Sequence, residues 1–259
     1  MNSFCKISIV MPVFNSESFL YKSIYSVINQ SFKEWELIIV DDGSTDNSLN
    51  IAQSLSSIDS RLKIIKNSSN RGVVFSRNVA LDACTSDFIA FLDSDDLWHV
   101  DKLKIQYEYM LTNKLDISYC SYFRFDQFGN VLGVVHPPKQ ISYRDMLFVN
   151  HIPMLTGMFK KSSFEEVKFL DVRHEDYVFW TSLMNNNIKA GLVESYFPLA
   201  SYLVRPSSLS GNKLKAAIWH WKNLRDDFNL HLVEASYFFV CYSLIQIKKK
   251  FMEVFKFGR

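Results

Sequence analysis

Short apolar runs alternate with amphipathic stretches through residues 1–120 of the chain. Strand-like runs occur at ISIVMP, WELIIVD, RLKIIK, DFIAFLD and DISYC. Between them apolar residues recur at helical spacing, as at Ile24, Val27 and Ile28. The strand-like runs are apolar at consecutive positions, which is typical of strands covered by helices on both faces. The alternation predicts an α/β fold built on a parallel sheet.

The pattern loosens after residue 120. SYFRFD and VLGVV flank the tetrapeptide QFGN, which predicts a hairpin. Helices are expected at 143–149 and at 175–185, where Tyr177, Trp180 and Leu183 share one face. The composition changes after Asn212. We therefore expect a catalytic domain over 1–212 and a helical, aromatic and basic C-terminal extension over 213–259.

Composition excludes several classes of protein. Apolar residues make up 48% and charged residues 22%, both ordinary for a globular chain. A net charge of +2 without a basic stripe argues against a nucleic-acid partner. The N-terminus lacks the features of a signal peptide, and no apolar run reaches the ~20 residues that a membrane-spanning helix needs. The four dispersed cysteines match neither a zinc site nor a disulfide framework, so we expect a cytoplasmic protein.

Two acidic clusters follow predicted strands. DDGSTD at 41–46 comes after LIIV, and DSDD at 93–96 comes after FIAFL. In an open α/β sheet, ligands bind at the carboxyl ends of the strands, so the two clusters are expected to converge. Carboxylates packed together repel one another and favour a divalent cation with hard oxygen ligands, Mg²⁺ or Mn²⁺. The alternative for each cluster is a set of turn and helix-cap residues.

Five motifs, in this order and spacing, resemble the family 2 glycosyltransferases. They are ISIVMPVFN, VDDGSTDNS, NRGVVFSRN, FIAFLDSDDLW and HEDYVFW, and the resemblance extends over roughly residues 7–210. It implies the GT-A fold, with a mixed, mostly parallel sheet flanked by helices, a Rossmann-like nucleotide-binding half and an acceptor half.

The resemblance assigns a nucleotide-binding group of residues. Asp42 matches the carboxylate that accepts a hydrogen bond from the base, and Asp41 is expected to support it. Pro12, Phe14 and Asn15 match the segment that lines the base pocket. Phe14 stands where the family often has Tyr, so it can stack on the base without a phenol hydrogen bond. A purely structural role in the core is the alternative for Phe14.

The diphosphate end of the donor is assigned in the same way. Asp95 matches the ligand of the divalent ion, and Asp93 is expected near the ribose. Arg77 resembles an arginine near the nucleotide, with a surface charge as its alternative. Arg205 resembles an arginine that reaches the leaving diphosphate, although the histidine that often follows is Pro206 here.

Asp176 matches the family residue that deprotonates the acceptor hydroxyl. Its alternative is a simple helix-start carboxylate. The basic residue that often follows the tryptophan of this helix is absent, because Trp180 is followed by Thr181 and Ser182. The acceptor is therefore expected to be handled differently from the family pattern. His99, His151 and His174 have no partner at metal-ligand spacing and are interpreted as surface or supporting residues.

The resemblance implies an inverting transfer from a nucleoside-diphosphate sugar, most often a UDP-sugar, to a hydroxyl of a glycan or lipid-linked acceptor. The expected context is synthesis of a bacterial surface polysaccharide or lipopolysaccharide. Two alternatives stay open at this stage. One is a glycan-binding scaffold with the same fold and no catalysis, and the other is a receiver-like domain that binds Mg²⁺ and accepts a phosphoryl group.

The C-terminus carries its own signal. The uncharged run ASYFFVCYSLIQI leads into KKKFMEVFKFGR, which has five basic residues and one acidic residue. Aromatic and lysine side chains in this arrangement suit an anionic membrane surface, here the inner face of the plasma membrane. The alternative is a helix packed on the catalytic domain with a solvated basic tail.

Overall fold

The structure is a computed structural model that describes residues 5–184, 187–205 and 213–257, with side chains described for 215–248 in the last range. The strands of this part are Ile7–Val13 (β1), Trp35–Asp41 (β2), Leu62–Lys66 (β3), Phe88–Phe91 (β4), Leu97–Trp98 (β5), Ile117–Tyr119 (β6), Tyr122–Phe125 (β7), Val131–Val135 (β8), Met158–Lys160 (β9), Ala190–Leu192 (β10) and Ala200–Leu203 (β11). Its α-helices are Glu17–Ile28 (α1), Ser48–Ser56 (α2), Val73–Ala83 (α3), Lys102–Asn113 (α4), Tyr143–Phe148 (α5), Glu175–Leu183 (α6), Lys213–Lys222 (α7) and Leu232–Phe257 (α8).

The main sheet has seven strands in the order β10-β6-β9-β4-β1-β2-β3. All pairs are parallel except those made by β9, which runs antiparallel to β4 and β6. The predicted mixed, mostly parallel sheet is confirmed. Because β1 lies between β2 and β4, the segments that leave these three strands emerge side by side at one edge of the sheet.

Helices cover both faces of the main sheet. Every residue of β2 is buried, as expected for a strand with two covered faces. On one side Leu20, Ile24 and Val27 of α1 join a core that also receives α2 and α4. On the other side Ala80 of α3 and Trp180 of α6 belong to a second core. The apolar side chains whose spacing predicts these helices are the ones that pack against the sheet.

A smaller four-stranded sheet has the order β5-β11-β7-β8. Strands β7 and β8 pair antiparallel, which confirms the hairpin predicted around QFGN. Strand β5 corrects one alternative for the second acidic cluster. Residues 93–96 do not cap a helix that starts at Leu97, because Leu97–Trp98 is a strand and the next helix begins at Lys102, with Asp101 as its N-cap.

The C-terminal helices pack beside α5 and α6. A π-helical segment, Asn223–Asp227, joins α7 to the turn before α8. Phe238 on α8 is buried in a small core with Leu147 and Leu224. Outward-facing apolar side chains on the same helix include Tyr237, Val240, Leu244 and Ile247. Among the described residues, none of the helices combines the length and apolarity needed to cross a bilayer. The boundary predicted at residue 212 lies outside the described residues.

Candidate active site

The two acidic clusters meet at the edge of the sheet where β1, β2 and β4 end, as predicted. Thr45 donates its backbone N–H to Oδ1 of Asn15 at 2.8 Å, which ties the segment after β2 to the segment after β1. The hydroxyls of Ser16 and Ser94 are 2.7 Å apart, which ties the β1 segment to the second cluster. Three segments distant in the chain therefore form one surface.

Asp42 organises the first cluster. Its Oδ1 accepts hydrogen bonds from Asn67 Nδ2 at 2.7 Å and from the backbone N–H of Arg71 at 3.0 Å. Its Oδ2 accepts the backbone N–H of Gly72 at 2.7 Å. Gly72 has φ of +89°, a conformation that favours glycine. The buried carboxylate of Asp42 thus orders the segment that leads into α3, and Oδ2 keeps one lone pair for a further donor.

Asp41 and Phe14, near Asp42, differ in their exposure to solvent. Oδ1 of Asp41 is buried and accepts no hydrogen bond from any described residue. Phe14 is 45% exposed, so the alternative of a core role for this ring is wrong. Pro12 lies in β1, opposite Val40. The remaining lone pair of Asp42 Oδ2 and the exposed face of Phe14, at one sheet edge, can receive a planar, hydrogen-bonding ligand such as a nucleotide base.

Arg77 joins the second acidic cluster to the helix that carries Asp176. Its Nη2 donates to Asp93 Oδ1 and its Nη1 donates to Glu175 Oε1, both at 2.8 Å. The side chain is only 4% exposed, so the alternative of a surface charge is wrong. Burial opposes the charge on the guanidinium, but Asp93 and Glu175 outweigh this effect and raise the pKa of Arg77. The arginine is a fixed cation between two carboxylates.

Asp95 and Asp96 face different surroundings. Asp95 forms an ion pair with Arg205, whose guanidinium also lies 4.5 Å from the centre of the Phe19 ring. Asp96 is buried and accepts the backbone N–H of Leu203 at 2.9 Å. Burial and the neighbouring carboxylates raise the pKa of both Asp95 and Asp96. The cluster thus holds more negative charge than its surroundings stabilise.

This donor set fits a divalent cation shared with a substrate. No group of three or more His, Cys, Asp or Glu side chains converges on a point within the described part of the chain. A hard cation such as Mg²⁺ is held by one or two carboxylates together with substrate phosphates, so a complete protein cage is not required. The raised pKa of Asp95 marks a carboxylate that gains from a further positive charge.

Asp176 lines a cleft of about 480 Å³ together with Arg77, Asp93 and Asp96. Asn150 donates its Nδ2 to Asp176 Oδ2 at 2.9 Å, which fixes the plane of the carboxylate. Burial, and after it the charge of Glu175, raises the pKa of Asp176 to about 6, although Arg77 opposes the shift. A carboxylate with this pKa can accept a proton near neutral pH.

Several residues of this cleft were not predicted from the sequence, among them Asn150, Glu175 and Trp219. Asn150 stands in a segment without periodicity, and no motif spacing points to it. Glu175 was visible beside Asp176, but its pairing with Arg77 depends on a contact across the fold. Trp219 lies on α7, outside the five motifs, and lines the same cleft. Tryptophan in an amphipathic helix gives no signal that separates a site residue from a core residue.

Comparison with known protein families supports a single assignment. The sequence profile described as "Glycosyl transferase family 2" matches residues 8–167. The chain is 35% identical over 237 residues to an uncharacterized glycosyltransferase of Haemophilus influenzae, covering 92% of this chain and 94% of the relative. It is 34% identical to the putative teichuronic acid biosynthesis glycosyltransferase TuaG of Bacillus subtilis, covering 94% and 97% of the two chains.

A third relative carries a more detailed name. It is the UDP-Glc:alpha-D-GlcNAc-diphosphoundecaprenol beta-1,3-glucosyltransferase WfgD of Escherichia coli, 35% identical over 94% of each chain. Among solved structures, S. aureus TarS 1-349 in complex with UDP superposes with a TM-score of 0.68 at 20% identity, covering 92% of this chain and 70% of that one. The mannosyltransferase PcManGT from Pyrobaculum calidifontis, in complex with GDP-Man and Mn²⁺, gives 0.65 at 17% identity, covering 85% and 64%. These two structures share the fold of the chain.

Proposed function

The chain belongs to glycosyl transferase family 2, and on that premise we propose that it moves a sugar from a UDP-sugar to an acceptor hydroxyl, with inversion at the anomeric carbon. The observation that carries the proposal is Asp176, a carboxylate with a pKa of about 6 in the same cleft as Asp93 and Arg77. One base that removes the acceptor proton suits a single displacement, in which the acceptor oxygen attacks from the face opposite the leaving group.

The nucleotide occupies the edge formed by β1 and β2. Phe14 stacks on the base, and Asn15 positions the segment after β1. Oδ2 of Asp42 has one lone pair left for a base N–H, and the buried Asp41 supports Asp42 from the neighbouring position. Asp93, held by Arg77, faces the ribose.

Asp95 and Arg205 act on the leaving diphosphate. A Mn²⁺ or Mg²⁺ ion held by Asp95 and the diphosphate oxygens would neutralise the charge that develops on the leaving group. Arg205 pairs with Asp95, which places its guanidinium where it would meet a diphosphate bound at this carboxylate. The guanidinium then binds the phosphate oxygens through two parallel hydrogen bonds.

Asp176 takes the proton from the acceptor. Asn150 orients the carboxylate, and burial, together with the charge of Glu175, keeps it basic enough to work near neutral pH. Glu175 is itself neutralised by Arg77, so removal of Arg77 disturbs the base as well as the donor side. General base catalysis of this kind contributes on the order of 10²- to 10⁴-fold in rate.

The named relatives support a UDP-sugar donor and a lipid-linked acceptor in synthesis of a bacterial surface polysaccharide. WfgD uses UDP-Glc and a diphosphoundecaprenol-linked acceptor, and TuaG is assigned to teichuronic acid synthesis. TarS 1-349 has also been solved in complex with UDP-GlcNAc. The donor sugar and the linkage follow from the shape of the cleft around Asp176.

Contact of α8 with the inner face of the plasma membrane completes the proposal. One face of the helix packs on α5 and α7, while Tyr237, Val240, Leu244 and Ile247 face outward. The predicted role of Phe251, Phe255 and Phe257 concerns side chains outside the described residues. An enzyme held at the membrane meets a lipid-linked acceptor without extracting it from the bilayer.

Release of UDP from a panel of UDP-sugars, with Mn²⁺ and a bacterial lipid-linked acceptor fraction, tests the proposal. We expect acceptor-dependent UDP release from one donor and a product of inverted anomeric configuration by NMR. A catalytically inactive glycan-binding scaffold gives no UDP release above the buffer rate. A retained anomeric configuration contradicts the single displacement. Membership of the family already excludes the receiver-like phosphoacceptor.

A further inference from the structure

The helix α7 reaches the cleft although it lies beyond the part of the chain that the family profile matches, residues 8–167. Its Trp219 lines the cleft that contains Asp176, beside Arg173 and His174. The indole is half-buried, and the His174 ring meets it edge to face with the centroids 5.3 Å apart. One partly exposed aromatic surface therefore stands at the acceptor side of the base.

A second pocket begins where this cleft ends. It has a volume of about 530 Å³ and shares Arg173 and Trp219 with the cleft as lining residues. Its other lining residues are Asp171, Val172, Lys222, Asn223, Asp226 and Asp227. Most of these side chains can form hydrogen bonds. The apolar surface comes from Trp219, which lines both pockets. This combination suits the two sides of a pyranose, its apolar C–H face and its hydroxyls.

Arg173 and Trp219 lie between the two pockets, and a hydrogen bond fixes the backbone at Arg173. Asn223 is buried and donates its Nδ2 to the backbone carbonyl of Arg173 at 3.1 Å, which connects the π-helical segment to the chain just before Asp176. The exposed guanidinium of Arg173 lies 5.6 Å from the Trp219 ring centre. An exposed cation–π contact is worth only ~0.5–1 kcal/mol, so a sugar ring can take the place of the guanidinium.

The charge of the second pocket distinguishes between ligands. Asp171, Asp226 and Asp227 stand against Arg173 and Lys222, three carboxylates against two cations. A diphosphate would meet this carboxylate excess at short range and be repelled. The hydroxyls of a neutral sugar can instead donate hydrogen bonds to these carboxylates and accept them from the basic side chains. The pocket therefore fits a sugar better than the diphosphate of a lipid-linked monosaccharide.

We propose that the acceptor is a glycan of at least two sugar residues, and that Trp219 is the wall against which the second sugar packs. The sugar with the attacking hydroxyl lies beside Asp176 in the first pocket, and the next sugar occupies the pocket around Asp226 and Asp227. This inference rests on the proposed function for the identity of the first pocket. It assigns acceptor selection to α7, outside the matched family region.

Binding is measured without donor chemistry, through the indole N–H signals of the ¹⁵N-labelled protein with UDP and Mn²⁺. The probes are mono- and disaccharides of glucose, galactose, rhamnose, N-acetylglucosamine and N-acetylgalactosamine. The Trp219→Phe variant assigns the Trp219 signal, and Trp221, which packs on Phe239, is the internal control. We expect at least one disaccharide to shift Trp219, its component monosaccharides to shift it less, and Trp221 to stay in place. No shift of Trp219 with any disaccharide overturns the inference, even if the enzyme transfers sugar.

Kinetics supply a second readout. Trp219→Ala is expected to raise KM for the disaccharide acceptor about tenfold, the loss of roughly one aromatic contact, with KM for the donor unchanged. Trp219→Tyr restores most of the loss, and Tyr196→Ala, at a fully exposed ring, has no effect. An equal change in KM for mono- and disaccharides, or full activity toward a monosaccharide linked by diphosphate to lipid, contradicts the second sugar site. Absence of all transfer by the wild type counts against the proposed function instead.

Discussion

Asp93 and Glu175 accept hydrogen bonds from the two amino groups of one guanidinium, that of Arg77, at 2.8 Å each. Asp93 follows β4 at the donor side of the cleft, and Glu175 begins α6 next to Asp176. The arginine thus joins the segment assigned to the donor to the helix assigned to the acceptor. Because each carboxylate loses solvent in the fold, each depends on this cation.

Arg77→Lys is expected to destabilise the protein and to lower transfer together. A single ammonium cannot donate to both carboxylates in the fork geometry of arginine. Because both carboxylates are partly exposed, we expect the loss of one of these charged hydrogen bonds to cost about 1–3 kcal/mol. Urea unfolding measures the effect, with Arg61→Lys at the partly exposed pair with Asp59 as the control. Equal losses of unfolding free energy in the two variants contradict the bridging role.

Transfer is expected to depend on pH through Asp176. Burial and Glu175 raise the pKa of this carboxyl to about 6, so the base becomes protonated as the pH falls through that value. The acceptor kcat/KM should therefore fall about tenfold for each pH unit below about 6 and level off above it. The acid limb should move to lower pH in Glu175→Gln, which removes a neighbouring negative charge. A profile that is flat between about pH 5 and 8 is inconsistent with this base.

Asp176→Asn is expected to stabilise the fold while it removes transfer. The folded-state pKa of about 6 lies above the ordinary 3.8, so the ionised carboxylate opposes folding at pH values above both, and this cost disappears as the pH falls toward the ordinary value. An amide has no such cost and can still accept the hydrogen bond from Asn150. We expect a gain of about 1 kcal/mol, or roughly 2–4 °C in Tm, near pH 7.5. The exposed Asp82→Asn variant should leave Tm unchanged, and a lower Tm for Asp176→Asn contradicts the burial cost.

The outward face of α8 is expected to bind anionic vesicles. Val240→Gln combined with Leu244→Gln removes apolar area from this face and leaves the packed residues Phe238 and Tyr242 intact. Co-sedimentation with vesicles that contain phosphatidylglycerol should weaken about tenfold. Ile58→Gln, at an apolar side chain exposed elsewhere, should bind as the wild type does. High salt should reduce binding because lysines contribute. Equal pelleting of all three proteins, or binding indifferent to the anionic lipid, leaves α8 as a packing element only.

The strands that form the sheet edge at the site could be predicted from the sequence. Strands β1, β2 and β4 are buried along their length, so each appears as an apolar run that ends at a motif. Strands β9 and β10 have three residues each, too few to show a period, and β9 enters the sheet by antiparallel pairing. Short strands of this kind are defined by their partners in space, which the local sequence does not encode.

The site likewise combines residues that the sequence motifs predict with residues that only the folded structure brings to them. Asp42, Asp95 and Asp176 stand in motifs with recognisable spacing, the first two after strands of the sheet and the third in the first turn of α6. The residues that pair with these carboxylates come from distant segments, as Arg205 does for Asp95 and Asn150 for Asp176. Neither pairing follows from periodicity, because each depends on how loops cross the end of the sheet. The roles of these residues in binding and catalysis stay predictions.

The proposed roles of Asp95 and Asp176 are tested by measuring UDP binding and sugar transfer in two variants of the same site. Asp95→Asn removes the charge of the proposed ligand of the divalent ion, so Mn²⁺-dependent UDP binding by calorimetry should be lost, with transfer lost as a consequence. Asp176→Asn leaves the donor side intact, so it should bind UDP with Mn²⁺ as the wild type does and transfer no sugar. Wild-type Mn²⁺-dependent affinity for UDP in Asp95→Asn would contradict the proposed metal ligand, and transfer by Asp176→Asn within about threefold of the wild-type rate would contradict the proposed base.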